Sequence, residues 1–420
     1  MSGIVQNNIL RSSGTIAVTA AGLSWGTAVV TGSTVTVEAG NGYWINTTSN
    51  TCTITLPSSA ESGDQIVLID YSRTWGTNSI FIDSNGLNYQ GNDDTYTVEY
   101  TTDGQSVNIV YSDATKGWLP LEDDVTADVP VAPPTQKAIF AYGSTDAKVS
   151  MSNLVNSSGV VASDVTGVGT DRNGLAAATY DLDKAVFAYG NTGSVTSLKN
   201  LVNNSGVVAA DVTGVGTARE RLAAASYGTG LAIFAHGTTG SATAISNLVN
   251  TSGVIASDVS GVGTARFGLA ASSFGGDKAI FGYGRPSSGN SSLTNLVSNV
   301  GVLSSDVTGV GTARRDIAAA SYGGDKGVFG YGISGSSSNV TNKVSNVGVV
   351  ATDTTGVGTA RYYLAATGYG GDKAIFGFGS TGSVTGITNL VNNSGLVAAD
   401  VSAVGTAREK PGAAGYSTSA

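Results

Sequence analysis

The last two thirds of the chain alternate short apolar runs with clusters of small and polar residues. The run KAIFGYG (278–284) has an apolar stretch that ends at glycine, and a cluster of Ser, Gly and Asn follows it. Comparable clusters return at intervals of roughly 8–12 residues, as in chains built from short strands and tight turns. The pattern therefore predicts an all-β fold.

This pattern repeats six times between residues 137 and 420. The repeats begin 47, 47, 47, 48 and 47 residues apart, and the extra residue falls in GRPSSGNSS (284–292). A series of arginines has the same spacing. The repeats begin at Lys137, Lys184, Leu231, Lys278, Lys326 and Lys373, and the arginines are Arg172, Arg219, Arg266, Arg314, Arg361 and Arg408. A fixed period of this length indicates one supersecondary unit built many times.

Each repeat is interpreted as four short strands, and four strands in 40–50 residues are typical of one β-propeller blade. We therefore predict a six-bladed β-propeller of four-stranded blades over residues 137–420. A β-solenoid and a row of independent β-domains are the alternatives, although solenoid rungs are usually shorter and 47 residues would hardly stabilise a domain. The strand order predicts that residues 412–417 pair beside the strand that begins at Lys137 and close the ring.

The motif R-x-x-L-A-A-A-S-Y-G-G-D-K-A-I-F-G-Y-G, present with variations in the repeats, resembles the kelch repeat. In kelch proteins an arginine precedes a strand of small residues, a turn and a strand that ends at glycine. The resemblance implies a propeller and covers most of each repeat. It is imperfect, because YG or FG stands where kelch has a glycine doublet, and the tryptophan of its last strand is missing. The regulator-of-chromosome-condensation type is the alternative propeller family.

The first part of the chain has a different pattern. Residues 31–120 alternate apolar and polar positions between turn signals, which predicts an antiparallel β-module of the sandwich or jelly-roll kind. Residues 121–136 are acidic and then rich in proline, and we interpret them as a semi-rigid linker. Residues 1–30 are assigned to an N-terminal attachment segment.

The string GYWINTTSNTCTITLPSSAESGDQIVLIDYSRTWGTNSIFI (42–82), together with VYSDATKGWLP (110–120), resembles a small β-module of bacteriophage tail fibres and other virion proteins. The opening MSGIVQNN…RSSG is similar to the starts of phage structural proteins. The resemblance covers about 120 residues and implies a structural protein of the phage particle, located at its surface. It also implies that the N-terminal region joins other virion proteins, with a homotrimer as a possible assembly.

Composition and charge exclude several classes of function. The formal charge of −9 is spread over the chain without a basic patch, so we predict no nucleic-acid partner. No apolar run has the length that a membrane span requires, so we predict no membrane insertion. The start of the chain lacks the pattern of a cleaved signal peptide. Cys52 is the single cysteine, which rules out an intrachain disulfide.

Few residues could carry chemistry. The single histidine, His236, stands where the other repeats have Tyr or Phe, and we interpret it as a replacement for an aromatic side chain. One His and one Cys cannot form a metal cluster, so we predict no metal, no cofactor and no enzymatic activity. The G-x-G of GVGTAR recurs in most repeats and lacks the helix that would hold a phosphate. The repeated arginines are interpreted as internal struts that pair with equally periodic aspartates. These aspartates are Asp164, Asp211, Asp258, Asp306, Asp353 and Asp400.

The repeats differ from one another mainly in two places: the residue pair after each arginine, and the turn after each KAIFGYG-like strand. In four-stranded blades both places emerge on one face, which makes that face a candidate for recognition. Aromatic and charged side chains of this kind bind sugars by stacking and hydrogen bonding. Drift of unconstrained turns is the alternative explanation. The candidate ligand-binding residues are Glu220, Arg221, Phe267, Arg315, Tyr362 and Tyr363.

These observations together predict a bacteriophage virion protein, in the form of a tail fibre or receptor-binding adhesin. Its propeller would contact a glycan or receptor on the host surface. The alternatives are a head-decorating or accessory virion protein without a receptor role, and a free bacterial lectin.

Overall fold

The computed structural model describes residues 23–121 and 136–416, and every regular element in these two ranges is a β-strand. The chain divides into two compact units, Met1–Pro133 and Pro134–Ala420. We call residues 23–121 the N-terminal unit and residues 136–416 the repeat domain. Most of the predicted attachment segment and most of the predicted linker lie outside the described residues.

The N-terminal unit consists of two sheets. The first has five strands in the order β1-β3-β5-β8-β9, and the second has four in the order β2-β4-β6-β7. The strands are β1 (Ser24–Val30), β2 (Thr34–Thr36), β3 (Asn41–Ile45), β4 (Cys52–Thr55), β5 (Gln65–Asp70), β6 (Ile80–Asp83), β7 (Val98–Tyr100), β8 (Ser106–Tyr111) and β9 (Trp118–Pro120). Since β1 begins at Ser24, this unit extends into the range assigned to the attachment segment.

The predicted antiparallel pairing is wrong for the pairs that the first six strands of this unit form with one another. The chain alternates between the two sheets, so that β1, β3 and β5 pair in parallel, as do β2, β4 and β6. The pairs β5–β8, β6–β7 and β8–β9 are antiparallel, as predicted. Alternation of apolar and polar residues has a period of two in both kinds of sheet, so the pattern could not reveal the strand direction.

One hydrophobic core fills the N-terminal unit. Trp75 and Trp118 are fully buried in it, together with Ile54 and Leu68. The buried carboxylate of Asp70 accepts hydrogen bonds from the backbone N–H groups of residues 74, 75 and 104, at 2.8–3.2 Å. Asp70 therefore fixes loop backbone rather than presenting a charge to solvent.

The repeat domain contains six antiparallel sheets of three strands each. We number them in chain order. The first sheet is β11 (Lys148–Val155), β10 (Lys137–Ser144) and β27 (Gly412–Tyr416); the second is β12 (Ala176–Tyr180), β13 (Lys184–Ala188) and β14 (Lys199–Val202); the third is β15 (Ala223–Tyr227), β16 (Leu231–Ala235) and β17 (Ser246–Val249); the fourth is β18 (Ala270–Phe274), β19 (Lys278–Gly282) and β20 (Thr294–Val297); the fifth is β21 (Ala318–Tyr322), β22 (Lys326–Gly330) and β23 (Thr341–Val344); the sixth is β24 (Ala365–Tyr369), β25 (Lys373–Gly377) and β26 (Thr388–Val391).

The predicted fourth strand of each repeat is reduced to isolated bridges. In the second sheet these bridges are Val202↔Val208 and Lys199↔Val212. Between them the side-chain amide of Asn200 donates to the carbonyl of Ala209 at 2.9 Å. In a continuous fourth strand, a backbone N–H group would donate to this carbonyl, whereas here a side chain does. Val207, in the turn before this segment, is 61% exposed. The four-stranded prediction is therefore wrong in this detail.

The C-terminal strand pairs with the strand that opens the repeat domain. β27 lies antiparallel to β10, from Lys137 opposite Tyr416 to Ala141 opposite Gly412. This is the pairing that the repeat frame predicts. The ends of the repeat domain are therefore joined in one sheet.

In each sheet, the outer strand that follows the repeated arginine also packs against the corresponding strands of the two flanking sheets. Contacts run from β12 to β15, β18, β21, β24 and β27 in turn, and β27 contacts β12. Ala, Ser and Gly dominate these strands, and small side chains let neighbouring backbones approach closely.

Deletion of residues 412–420 tests the contribution of this pairing. It would leave β10 unpaired on one side and remove Ala414 and Tyr416, which are 3% and 2% exposed. We expect the free energy of unfolding to fall by about 4 kcal/mol or more, since a large buried side chain and a strand of hydrogen bonds are lost. Chemical denaturation monitored by circular dichroism measures it. Deletion of residues 417–420 is the matched control, and equal stability of the two truncations would contradict the expectation.

Candidate functional site

The six repeated arginines are fully buried. Arg219 shows their environment: its Nε donates to the carbonyl of His236 at 2.8 Å, and its two terminal nitrogens donate to the carbonyl of Thr217 and to Oδ1 of Asn247 at 3.1 and 2.8 Å. Burial lowers the pKa of this guanidinium from its ordinary value. These hydrogen bonds connect the segments that contain Thr217, His236 and Asn247, and the guanidinium that makes them is not exposed to solvent.

Five of the six buried arginines also pack against an aromatic ring of the preceding sheet. The guanidinium carbon of Arg172 lies 4.0 Å from the ring centroid of Tyr142, and that of Arg408 lies 4.0 Å from Phe378, which joins the first sheet to the sixth. Burial raises the pKa of Tyr142 to about 12. The corresponding pairs in three other repeats are Arg219–Tyr189, Arg314–Tyr283 and Arg361–Tyr331. Cation–π contacts of this kind stabilise the interface between successive sheets.

The repeated aspartates bind threonine more closely than arginine. Asp258 accepts hydrogen bonds from the backbone and hydroxyl of Thr217 at 3.1 and 2.6 Å, and from the amide of Asn247 at 2.9 Å. Burial by itself would raise the pKa of Asp258, but these hydrogen bonds lower it below its ordinary value. Ion pairs with arginine are longer, at 3.6–3.7 Å, and are found for Arg172–Asp211, Arg266–Asp306 and Arg314–Asp353.

His236 occupies the position that Tyr or Phe holds in the other repeats. It is fully buried, and neither ring nitrogen has a hydrogen-bond partner. Burial, with a smaller effect from Arg266, lowers its pKa to about 3. The tyrosines of four other repeats donate at 3.1 Å to the carbonyls of Val168, Val215, Val310 and Val357. A neutral, enclosed imidazole of this kind is a packing residue.

The second residues of the six variable pairs are linked to one another in a closed ring of backbone hydrogen bonds. Each of these six residues donates its N–H to the carbonyl of the corresponding residue in the preceding repeat, at 2.6–3.2 Å, and Gly174 donates to Lys410. All six have left-handed backbone conformations, with φ between 53° and 63°. The ring consists of Gly174, Arg221, Gly268, Asp316, Tyr363 and Lys410.

Four of these six residues have side chains, although the left-handed region favours glycine. A non-glycine residue is kept there only when its surroundings determine the backbone, and such residues often belong to functional sites. Here the surroundings are the ring of hydrogen bonds itself. Because the backbone is fixed by the ring, the side chains differ freely from repeat to repeat.

These side chains surround a cavity of about 70 Å³, which we call the axial cavity. Its wall includes Arg221, Asp316, Tyr363 and Lys410. Arg221 donates to the carboxylate of Asp316 at 2.5 Å, across Gly268. A Cβ at Gly268 would lie 2.5 Å from Oδ1 of Asp316, so the glycine makes room for this ion pair.

Asp316 is the most enclosed charge of the axial cavity, with its side chain only 2% exposed. Burial raises its pKa, although Arg221, Arg315 and Lys410 act in the opposite direction. Nε of Arg315 lies 3.3 Å from Oδ2 of Asp316. Arg315 is among the candidates predicted from the sequence, whereas Asp316 and Lys410 are not. Asp316 and Lys410 are both the second residue of a variable pair, and that position is the signal from which the sequence could have identified them.

The predicted aromatic platforms are partly covered by cations. The guanidinium carbon of Arg221 lies 4.5 Å from the ring centroid of Phe267 and 5.5 Å from that of Tyr363. The amino group of Lys410 lies 4.2 Å from the Tyr363 ring. The rings of Tyr362 and Tyr363 are tilted against each other by 57°, with centroids 4.9 Å apart. The rings therefore position the cations, and Tyr362 is the aromatic side chain with most freedom to stack on a ligand.

The first residue of each variable pair lies beside the other variable segment. Glu220 forms an isolated bridge with Thr238, Phe267 with Arg285, Arg315 with Ile333 and Tyr362 with Ser380. Asn290, in the turn that carries the extra residue, accepts a hydrogen bond from Arg315 at 3.0 Å. The structure thus brings all six predicted candidates to one surface, which we call the variable face.

Two classes of site are not found in the described parts of the chain. Within residues 23–121 and 136–416, no three His, Cys, Asp or Glu side chains lie together as a metal site would require. The same ranges contain no helix that is long and apolar enough to cross a membrane.

Comparisons with known proteins give no family assignment, since neither a protein-family model nor a curated protein matches the chain.

Replacement of Arg219 by leucine tests the structural role of the buried arginines. It would leave the carbonyls of His236 and Thr217 and the amide oxygen of Asn247 without their donor. We expect the free energy of unfolding to fall by about 3–5 kcal/mol, as when one partner is removed from a buried charged network. Arg285→Leu, at a half-exposed arginine, is the control and should change it by less than about 1 kcal/mol. Equal effects of the two substitutions would show that burial of the guanidinium is not what matters.

His236 is expected to make the protein sensitive to acid. Its pKa rises from about 3 in the folded state to about 6.5 on unfolding, so the unfolded state binds the extra proton below pH 6.5. The resulting loss of stability grows as the pH falls from 6.5 towards 3, and reaches about 2 kcal/mol at pH 5. We expect His236→Phe and His236→Tyr to remove this loss, measured as the difference in denaturation free energy between pH 7.5 and pH 5. His236→Tyr should also raise the free energy of unfolding at pH 7.5, because its hydroxyl can donate to a backbone carbonyl as the tyrosines of other repeats do. Unchanged acid sensitivity in both variants would contradict the assignment.

Proposed function

We propose that the six sheets form a closed six-bladed β-propeller. Three observations support this architecture: the pairing of β27 with β10, the packing of β27 on β12, and the ring of six backbone hydrogen bonds. A ring of bonds that returns from Lys410 to Gly174 requires the last repeat to lie beside the first. Neither a linear solenoid nor a row of separate domains satisfies that condition.

We further propose that the protein is a structural component of a bacteriophage particle, exposed at its surface. The proposal rests on the resemblance of residues 42–82 and 110–120 to the β-module of phage tail fibres and other virion proteins. In this proposal the N-terminal region joins other virion proteins and the repeat domain is presented to the surroundings.

The specific role we propose is that of a tail fibre or receptor-binding adhesin, whose variable face binds a glycan of the host surface. One observation carries this role. Where every repeat has the same backbone, Arg221, Asp316, Tyr363 and Lys410 place four different functional groups around one cavity. A purely structural ring would need only the backbone there. The exposed part of Tyr362 and the guanidinium groups nearby supply stacking and hydrogen bonding, the two interactions that most often hold sugars.

The variant Tyr362→Ala with Tyr363→Ala tests the proposed binding face. Purified protein should adsorb to a panel of bacterial envelope polysaccharides, and we expect the double variant to bind roughly tenfold more weakly, because an aromatic contact contributes about 1.5 kcal/mol. Biolayer interferometry with immobilised polysaccharides measures the affinity. Tyr71→Ala is the matched control, since Tyr71 is 56% exposed and belongs to the N-terminal unit.

Immunogold labelling of phage particles tests the location independently. We expect label on the tail fibres. Label confined to the head, with no binding to cells or polysaccharide, would instead identify a head-decorating protein without a receptor role. Binding to polysaccharide by a protein that is absent from particles would identify a free lectin.

A further inference from the structure

The charged side chains that line the axial cavity are all paired. Arg221, Asp316 and Lys410 belong to its wall, and the neighbouring Arg315 and Glu409 form further ion pairs with Asp316 and Lys410. Arg221 and Arg315 contact Asp316 at 2.5 and 3.3 Å, and Lys410 contacts Glu409 at 3.2 Å. An anionic ligand would have to displace a carboxylate from one of these cations and would face the charge of Asp316. This pairing therefore disfavours an anionic ligand.

The same groups retain hydrogen-bonding capacity. Oδ2 of Asp316 and Nε of Arg221 are buried, and neither has a hydrogen-bond partner. The side chains of Arg221, Lys410 and Arg315 are 21%, 25% and 27% exposed, so an entering ligand meets these donors before the buried carboxylate of Asp316. A hydroxyl group both donates and accepts, so two adjacent hydroxyls can donate to the carboxylate and accept from the guanidinium without changing the charge balance. Sugars carry such pairs of hydroxyls.

The size of the cavity limits how much of a sugar can enter. A volume of about 70 Å³ has room for a few water-sized groups, and it is well below the roughly 150 Å³ of an engineered cavity that encloses a six-membered ring. The cavity can therefore accept two hydroxyls at the edge of one pyranose ring, while the rest of the ring stays outside, beside Tyr362. Because its wall is built from residues of all six repeats, the described repeat domain has one such cavity and not six.

We propose that the axial cavity binds two adjacent hydroxyls of an uncharged sugar residue, with one sugar residue per protein chain. In this arrangement Asp316 accepts from the hydroxyls, Arg221 and Arg315 donate to them, and Tyr362 stacks against the ring. The inference rests on the proposed glycan-binding function and specifies the class of sugar.

Titration with small glycosides tests the sugar class. The probes are the methyl glycosides of glucose, galactose and mannose, together with methyl glucuronide and methyl galacturonide, measured by saturation-transfer NMR and isothermal titration calorimetry. We expect at least one neutral glycoside to bind with a stoichiometry of one, and its uronic acid counterpart to bind at least tenfold more weakly. Asp316→Asn should weaken the neutral glycoside at least tenfold. Asp372→Asn, at an exposed turn aspartate paired with Lys373, is the matched control and should leave binding unchanged.

Thermal unfolding of each variant establishes that it is folded. If Asp316→Asn unfolds, the double variant Arg221→Gln with Asp316→Asn replaces it, because it removes both charges of the pair together. Tighter binding of the uronic acids, full binding by the Asp316 variants, or a stoichiometry near six would overturn the inference. Capture of polysaccharide in the adsorption assay without binding of any neutral glycoside would overturn it as well, and would leave the adhesin role intact. Failure of the wild-type protein to capture any polysaccharide would instead remove the adhesin role, and this inference with it.

Discussion

The repeat domain depends on the buried arginine that precedes the first strand of each repeated sheet. Its guanidinium binds backbone carbonyls and, in four of the six sheets, an asparagine of the same sheet. In five sheets it also lies over an aromatic ring of the preceding sheet. A single side chain thus fixes both the inside of one sheet and its contact with another. Arginine suits this position because its planar group can bind several acceptors and stack on a ring at the same time.

The position of the arginine also determines where the following two residues lie. The chain leaves the arginine, passes through the variable pair and enters the first strand within four residues, so the second residue of the pair is held in the ring of hydrogen bonds. Backbone groups make this ring, and any side chain that tolerates a left-handed conformation can occupy it. The repeat domain therefore combines a strictly repeated backbone with side chains that are free to differ, at the position where a ligand would have most contacts. Loops on a rigid β-scaffold serve recognition for the same physical reason.

Charge is used differently in the structural network of the domain and at the proposed binding site. The structural charges, such as Arg219 and Asp258, are bound by several neutral donors or acceptors and need no exposed partner. Those of the axial cavity pair mainly with each other, as Arg221 does with Asp316. Paired charges at the edge of solvent can exchange a partner for a ligand hydroxyl, whereas the enclosed network around Arg219 cannot do so without unfolding. The distinction separates residues that stabilise the fold from those of the proposed binding site.

Much of this arrangement follows from the sequence by itself. The spacing of Lys137 and its counterparts determines the number of repeats, and the position of GAAGYS (412–417) after the last arginine determines which strand pairs with β10. The convergence of the variable pairs and turns on one face also follows, because antiparallel strands return alternate connections to the same side. These conclusions depend only on period and order, which are properties of a sequence.

Other features were decided by the tertiary structure. The parallel pairing of β1, β3 and β5 depends on the path of the chain between two sheets, and alternation in the sequence is the same for either direction. The loss of the fourth strand depends on a side-chain bond from Asn200 and its counterparts. The pairing of Arg221 with Asp316, 95 residues apart, depends on the left-handed ring and on the space above Gly268. Distances between side chains of different repeats are set by packing in three dimensions, and no local pattern in the chain encodes them.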